Sequence, residues 1–214
     1  MQHLFSLDMP FLRFARNTLI VSLAALVPLL ALFVSLRPGF AGMLLEGGPA
    51  LWLFLRQVLT NGLPVVFAVN WVGFVLYASR EARDGTRDAA LAIPVDIALR
   101  LAVFVALHGV IYVLSARWFG SFGGDPATAL SVVAPTLARS AFLENISGVY
   151  LHATLVSALP LYVSAIRRSV RLAPLARRFP GRSGPTVLAL AAFAAFVALL
   201  TVSAGWVTSI QGAG

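Results

Sequence analysis

Cysteine is absent from all 214 residues, and lysine is absent as well: every one of the 16 basic residues is arginine. The first absence excludes disulfides, iron–sulfur clusters and thiol catalysis. The second excludes a phosphate-cradling glycine loop of the kind that ends in lysine. Charge is scarce. Only 11% of residues are charged, against about 25% in an average soluble domain. No Gly-x-Ser-x-Gly nucleophile turn occurs, and neither Glu-x-x-His nor His-Glu-x-x-His is found. What is present is apolar: 59% of the chain, with a mean hydropathy of +0.89. That balance excludes a soluble globular enzyme, a disordered tail and a nucleic-acid-binding domain. The net charge of +8 therefore needs another explanation than nucleic acid. The composition, rich in Ala, Arg, Gly and Leu, resembles that of a bacterial protein.

The expected fold is an all-α integral membrane protein. It comprises a bundle of about five transmembrane helices plus one or two interfacial or re-entrant helices. A crossing helix needs about 20 mostly apolar residues, which places spans at about 17–36, 62–79, 91–116, 147–166 and 185–210. The first run is too long for a signal-peptide core and lacks a small-x-small cleavage site, so it reads as a retained anchor. Residues 1–16, with Leu4, Phe5, Leu7, Phe11, Leu12 and Phe14 among charges, read as a cytoplasmic interfacial segment. Eleven arginines flank the spans on one side: Arg13 and Arg16, then Arg80, Arg83 and Arg87, then six between Arg167 and Arg182. The other side holds Arg37, Arg56, Arg117 and Arg139. By the positive-inside rule the N-terminus is expected in the cytoplasm and the C-terminus outside a bacterial inner membrane. The +8 is thus an orientation signal.

Two stretches fit less simply. Ala50 to Ser79 exceeds one crossing and contains Arg56, Gln57, Asn61 and Gly62-Leu63-Pro64. It reads either as a helix broken near Gly62, its outer part lying on or dipping into the membrane, or as one long tilted helix. The second stretch, about 127–146, opens on Asp125-Pro126, a helix-start signal. It is too polar for a span, so an interfacial or re-entrant helix is expected there. Trp52, Trp118, Phe119, Phe122 and Trp206 fall near outer span ends, where aromatics anchor at headgroup level.

A charge within a span costs at least about 2.5–3.5 kcal/mol on insertion scales. Span three nonetheless carries Asp96, Arg100 and His108 within an arc of about 120°. The acid four residues before the base is the favourable order for a helical ion pair. Asn145 and His152 share a face of span four, with Glu144 just before it, and His152 sits at a depth similar to that of His108. Two facing histidines suit a bis-His haem b, part of a metal site or a proton relay; the alternative is that each is an ordinary buried histidine bonded to a neighbour. Arg139, Glu144 and Asn145 form an outer polar group, either an interfacial ion pair or a receptor for an anionic group. Asn70, Gly73 and Tyr77 share a face of span two, and Asn70 is expected to hydrogen-bond across helices. Ala189, Ala192, Ala195 and Ala198 on span five read as packing surface.

The arginine-rich loop, 167–184, is expected to attract anionic lipid headgroups at Arg167–Arg182. Three functional readings follow. The first is a non-catalytic subunit, assembly factor or permease-like component of a larger membrane complex, with partner membrane subunits, no cofactor and no dedicated metal site. The second is a membrane redox or proton-handling protein that uses His108 and His152. The third is a small transporter for an anionic or amphipathic solute, using Arg100 and Arg139.

Overall fold

The structure is a computed structural model that describes residues 4–83, 89–120, 145–179 and 183–212. Every regular element among them is helical. The elements are α1 (Phe11–Ser35), α2 (Pro38–Leu45), α3 (Gly48–Gln57), a π-turn (Val58–Gly62), α4 (Leu63–Arg83), a 3-10 turn (Ala89–Leu91) and α5 (Ala92–Gly120). They continue with α6 (Ile146–Val156), α7 (Leu159–Arg168), α8 (Leu172–Ala176) and α9 (Gly184–Gly212). Five stretches are long and apolar enough to cross a membrane: Phe11–Ser35, Gly48–Arg80, Ala92–Ile111, Ile146–Arg168 and Gly184–Gly205. The chain is an all-α membrane protein.

Side-chain contacts set the directions. Asn70 on α4 meets Ser22 on α1, while Phe74 meets Phe5 ahead of α1, so α1 and α4 run antiparallel. Along span four, Tyr150 faces Gly62, Ser157 faces Asn70 and Arg168 faces Tyr77, so spans two and four run parallel. Ser147, Thr154 and Tyr162 face His108, Arg100 and Asp96 in turn, so α5 runs antiparallel to α6 and α7. Gly120 and Asn145 therefore lie at the same end of the bundle.

Span four is the axial element: 72% of its most apolar window is buried, against 11% for α9. α9 packs chiefly on α7 and α8 and turns most of its surface outward. Its alanines divide accordingly, with Ala189 buried and Ala195 and Ala198 exposed.

Two prolines shape the two central spans. Pro64 has no N–H, and in a regular helix its ring crowds the carbonyl four residues back, that of Thr60. The chain widens there instead of breaking. The Leu63 N–H reaches the Val58 carbonyl five residues back, and the Thr60 hydroxyl donates to the Arg56 carbonyl at 2.8 Å. The long-helix alternative for residues 50–79 is thus the observed one, with a π-turn where the break was expected. At 33 residues the helix is about 50 Å long, more than the roughly 30 Å hydrocarbon core requires. Gly62 in this turn rests against the Tyr150 ring, where a methyl group would collide with Cε1, Cζ and the hydroxyl. Gly62→Ala is therefore expected to lower stability by about 1–3 kcal/mol, as overpacking does, despite its gain in helix propensity. In a Tyr150→Ala background the same change should be neutral or stabilising. Thermal unfolding in detergent reads both.

Pro160 interrupts span four in a second way. Ala158 donates to Leu155 three residues back, at 3.1 Å, so the Thr154 carbonyl is left without its helical donor. That freed carbonyl is used in the site described below.

The N-terminal segment also departs from expectation. Residues from Phe11 onward are the first turns of α1, not a separate interfacial helix. Phe5 folds back into the bundle, stacked on Phe74 with ring centroids 4.0 Å apart and set edge-on to Phe14. Asn17 holds it there by donating to the Leu4 carbonyl at 2.8 Å. The expected helix at about 127–146 and the aromatic rings of Trp118, Phe119, Phe122 and Trp206 lie outside the described residues. Trp52 is well exposed near the Gly48 end of span two.

Candidate functional site: a buried ion pair at the crossing of four spans

Asp96 and Arg100 stand one turn apart on α5, and Arg100 Nε donates to Asp96 Oδ2 at 2.7 Å. Arg100 is wholly buried and Asp96 nearly so. The pair expected from the sequence is thus formed, and three residues from two other spans complete it. From α4, Asn70 Oδ1 accepts from Arg100 Nη1 at 2.5 Å. From the proline-loosened turn of span four, the Thr154 carbonyl accepts from the same nitrogen at 3.1 Å. From α7, the Tyr162 hydroxyl donates to Asp96 Oδ2 at 2.8 Å.

Asn70 is the junction of the network. Its Nδ2 donates to Ser22 Oγ on α1 at 2.8 Å, the cross-helix bond expected of it. Its Oδ1 also faces the Ser157 hydroxyl at 2.6 Å. Ser157 has the Thr154 carbonyl at 2.6 Å as well, so a single hydroxyl hydrogen serves two acceptors.

The apolar walls are fitted to the cation. The Phe74 ring lies under the guanidinium, with Cζ 4.9 Å from its centroid, in cation–π range. Gly73 makes room for it: a Cβ there would sit 2.5 Å from Nη2. Gly73 thus shares with Asn70 the face predicted for it, and Arg100 is the reason a side chain is excluded. Two polar atoms of the pair, Asp96 Oδ1 and Arg100 Nη2, have no partner among the described residues. A role for Arg100 as a solute-facing cation needs solvent access, and this side chain has none.

The histidines lie nearer the other end of α5 and α6. Each is clamped by the carbonyl one turn before it: His108 Nδ1 to Phe104 at 3.0 Å and His152 Nδ1 to Gly148 at 2.8 Å. A carbonyl only accepts, so Nδ1 carries the proton and Nε2 carries the lone pair. His108 Nε2 faces the Ser147 hydroxyl at 3.4 Å. Both rings therefore address the first turn of α6, at Ser147 and Gly148. An iron or other metal bound at His108 Nε2, at a bond length of about 2 Å, would have to displace Ser147. Among the described residues no three His, Asp or Glu side chains come together as a metal site.

Asn145 has a local task. Its side chain caps α6, accepting from the Gly148 N–H at 2.9 Å. Arg139 and Glu144 lie outside the described residues. Ser22, Thr154, Ser157 and Tyr162 are the members that sequence reasoning missed. Their one signal was a set of hydroxyl-bearing residues in spans one and four, joined to Pro160 as a source of a free carbonyl. Near the arginine-rich end, Arg168 donates to the Tyr77 hydroxyl at 2.5 Å and ties span two to span four.

No known family, curated protein or solved structure matches this chain.

Proposed function

We propose that this protein is a non-catalytic component of a larger assembly in a bacterial inner membrane, a subunit, assembly factor or permease-like part. Its N-terminus and arginine-rich loops face the cytoplasm, and its C-terminus faces outward, as the placement of the arginines indicates. The observation that carries this reading is the closure of the polar centre. Arg100 has no exposed surface, and Asp96, Asn70 and Thr154 hold it from three sides. Such a centre ties spans together, and among the described residues it offers no opening to Arg100. Work is then left to the outer surface, above all to α9, whose window is only 11% buried.

The test is purification in mild detergent followed by light scattering and native mass spectrometry. The expected result is a partner membrane protein at fixed stoichiometry, retained in high salt. Ala195→Leu with Ala198→Leu, on the exposed side of α9, should release it without unfolding the chain. A stable lone monomer overturns the proposal.

A second reading, redox or proton handling through His108 and His152, draws on the paired Nδ1 clamps, since a ligating or relaying histidine is held in this way. A haem b bound there gives a Soret band in purified membranes that His152→Ala abolishes. Absence of the band sinks the haem form of this reading.

A further inference from the structure

The arginine-rich end carries a built feature apart from the buried pair. A cleft of about 180 Å³ is lined by Arg167 at the end of α7, Ala173, Ala176 and Arg177 on and after α8, and Pro185 at the start of α9. Both arginines are exposed, and neither side chain makes a hydrogen bond or ion pair among the described residues. The first turn of α9 contains no acidic residue. A 29-residue helix begins at this cleft and brings the positive end of its dipole to it. Gly184 makes the close approach possible, because a Cβ there would strike the Ala176 carbonyl. Two guanidiniums and a helix start around one small space match the chemistry of a phosphate group.

The surroundings decide between the two sources of such a group. Val170 is 81% exposed, and Leu175, Val187 and Leu190 are exposed beside it. Apolar side chains that flank a cationic cleft at the end of a membrane-spanning helix suit acyl chains, and a soluble phosphate has no use for them. We infer that the cleft between the end of α7, α8 and the start of α9 binds the phosphate of an anionic membrane lipid, with Arg167 and Arg177 as its ligands.

The experiment uses the full-length protein purified in detergent and exchanged against phosphatidylglycerol or phosphatidylcholine. Native mass spectrometry counts the lipids retained. Wild type should keep one phosphatidylglycerol saturably, and phosphatidylcholine about tenfold more weakly or not at all. Arg167→Gln with Arg177→Gln should lose that preference, whereas Arg13→Gln with Arg16→Gln, an equal loss of charge on the same face, should keep it. Gly184→Ala should weaken retention with both arginines intact. Equal retention of the two lipids by wild type overturns the inference, and this arm needs no variant to fold. Equal retention by the Arg167/Arg177 and Arg13/Arg16 variants overturns it too. Displacement of the lipid by millimolar inorganic phosphate overturns the lipid as occupant, and failure of phosphate to compete supports it.

Discussion

Replacing Arg100 with methionine should destabilise the folded bundle by about 3–5 kcal/mol, the usual cost of removing one partner from a buried ion pair. The substitution keeps much of the side-chain volume and removes the charge. Asp96 would then be left with Tyr162 alone, and the Thr154 carbonyl, already without its helical donor, would lose its guanidinium donor. The double variant Asp96→Leu with Arg100→Met should be less destabilised than Arg100→Met by itself. No charge then remains in the interior, and apolar replacement of a whole buried pair is often neutral. Arg100→Lys should fall between wild type and Arg100→Met, because an ammonium on a single stem reproduces the charge but not the fork that spans Asp96, Asn70 and Thr154. Unfolding in mixed micelles, followed by circular dichroism, reads all three variants. If Arg100→Met unfolds within about 1 kcal/mol of wild type, on the scale of an exposed pair, the pair is not what ties these spans together.

Asn70→Leu is the second large effect. It removes one acceptor from a cation and severs two neutral bonds, to Ser22 and Ser157. A hydrogen bond to a charged group contributes about 1.5–3 kcal/mol. Interhelical bonds in membranes average about 0.6 kcal/mol, with a maximum near 1.7. The expected loss is therefore roughly 2–4 kcal/mol. Ser22→Ala, which breaks only the outermost of the three bonds, should cost about 0.6–1.7 kcal/mol. The ratio of the two losses is the informative quantity. Similar losses would mean that Asn70 serves α1 alone and that Arg100 does not depend on it.

The five spans were legible because hydropathy over about 20 residues depends on composition and not on neighbours. The Asp96–Arg100 pair was legible because both partners lie on one helix at a fixed spacing. Asn70 stood out as an amide in an apolar run. Ser22, Thr154, Ser157 and Tyr162 did not stand out, because hydroxyl groups are unremarkable in membrane helices and often satisfy themselves on their own backbone, as Thr18 and Thr201 do here. Their roles depend on the relative height of four helices, which tilt and the turn at Pro160 determine. Gly62 and Pro64 marked the right place in span two for a departure from α-helix. The axis stays continuous because Leu63 finds the Val58 carbonyl and Tyr150 packs against Gly62, neither of which the local sequence displays. The return of Phe5 into the bundle depends on Phe14 and Phe74 leaving a slot, a tertiary fact throughout.

The spacing of Asp96 and Arg100 also bears on how the chain is made. Span three leaves the ribosome before Thr154, Ser157 and Tyr162 have been synthesised, so most of the cross-helix partners of the pair do not yet exist. Charges on different spans would each enter the bilayer alone, at roughly 2.5–3.5 kcal/mol apiece. Placed one turn apart on α5, with Nε already on Oδ2, they can enter as a unit that carries its own counter-charge and wait for span four. α9 has no part in this step, since it packs chiefly on α7 and α8. A nascent chain ending at Phe179 already holds Asn70, Phe74, Asp96 and Thr154, which fix Arg100, and the last helix can be added to that centre.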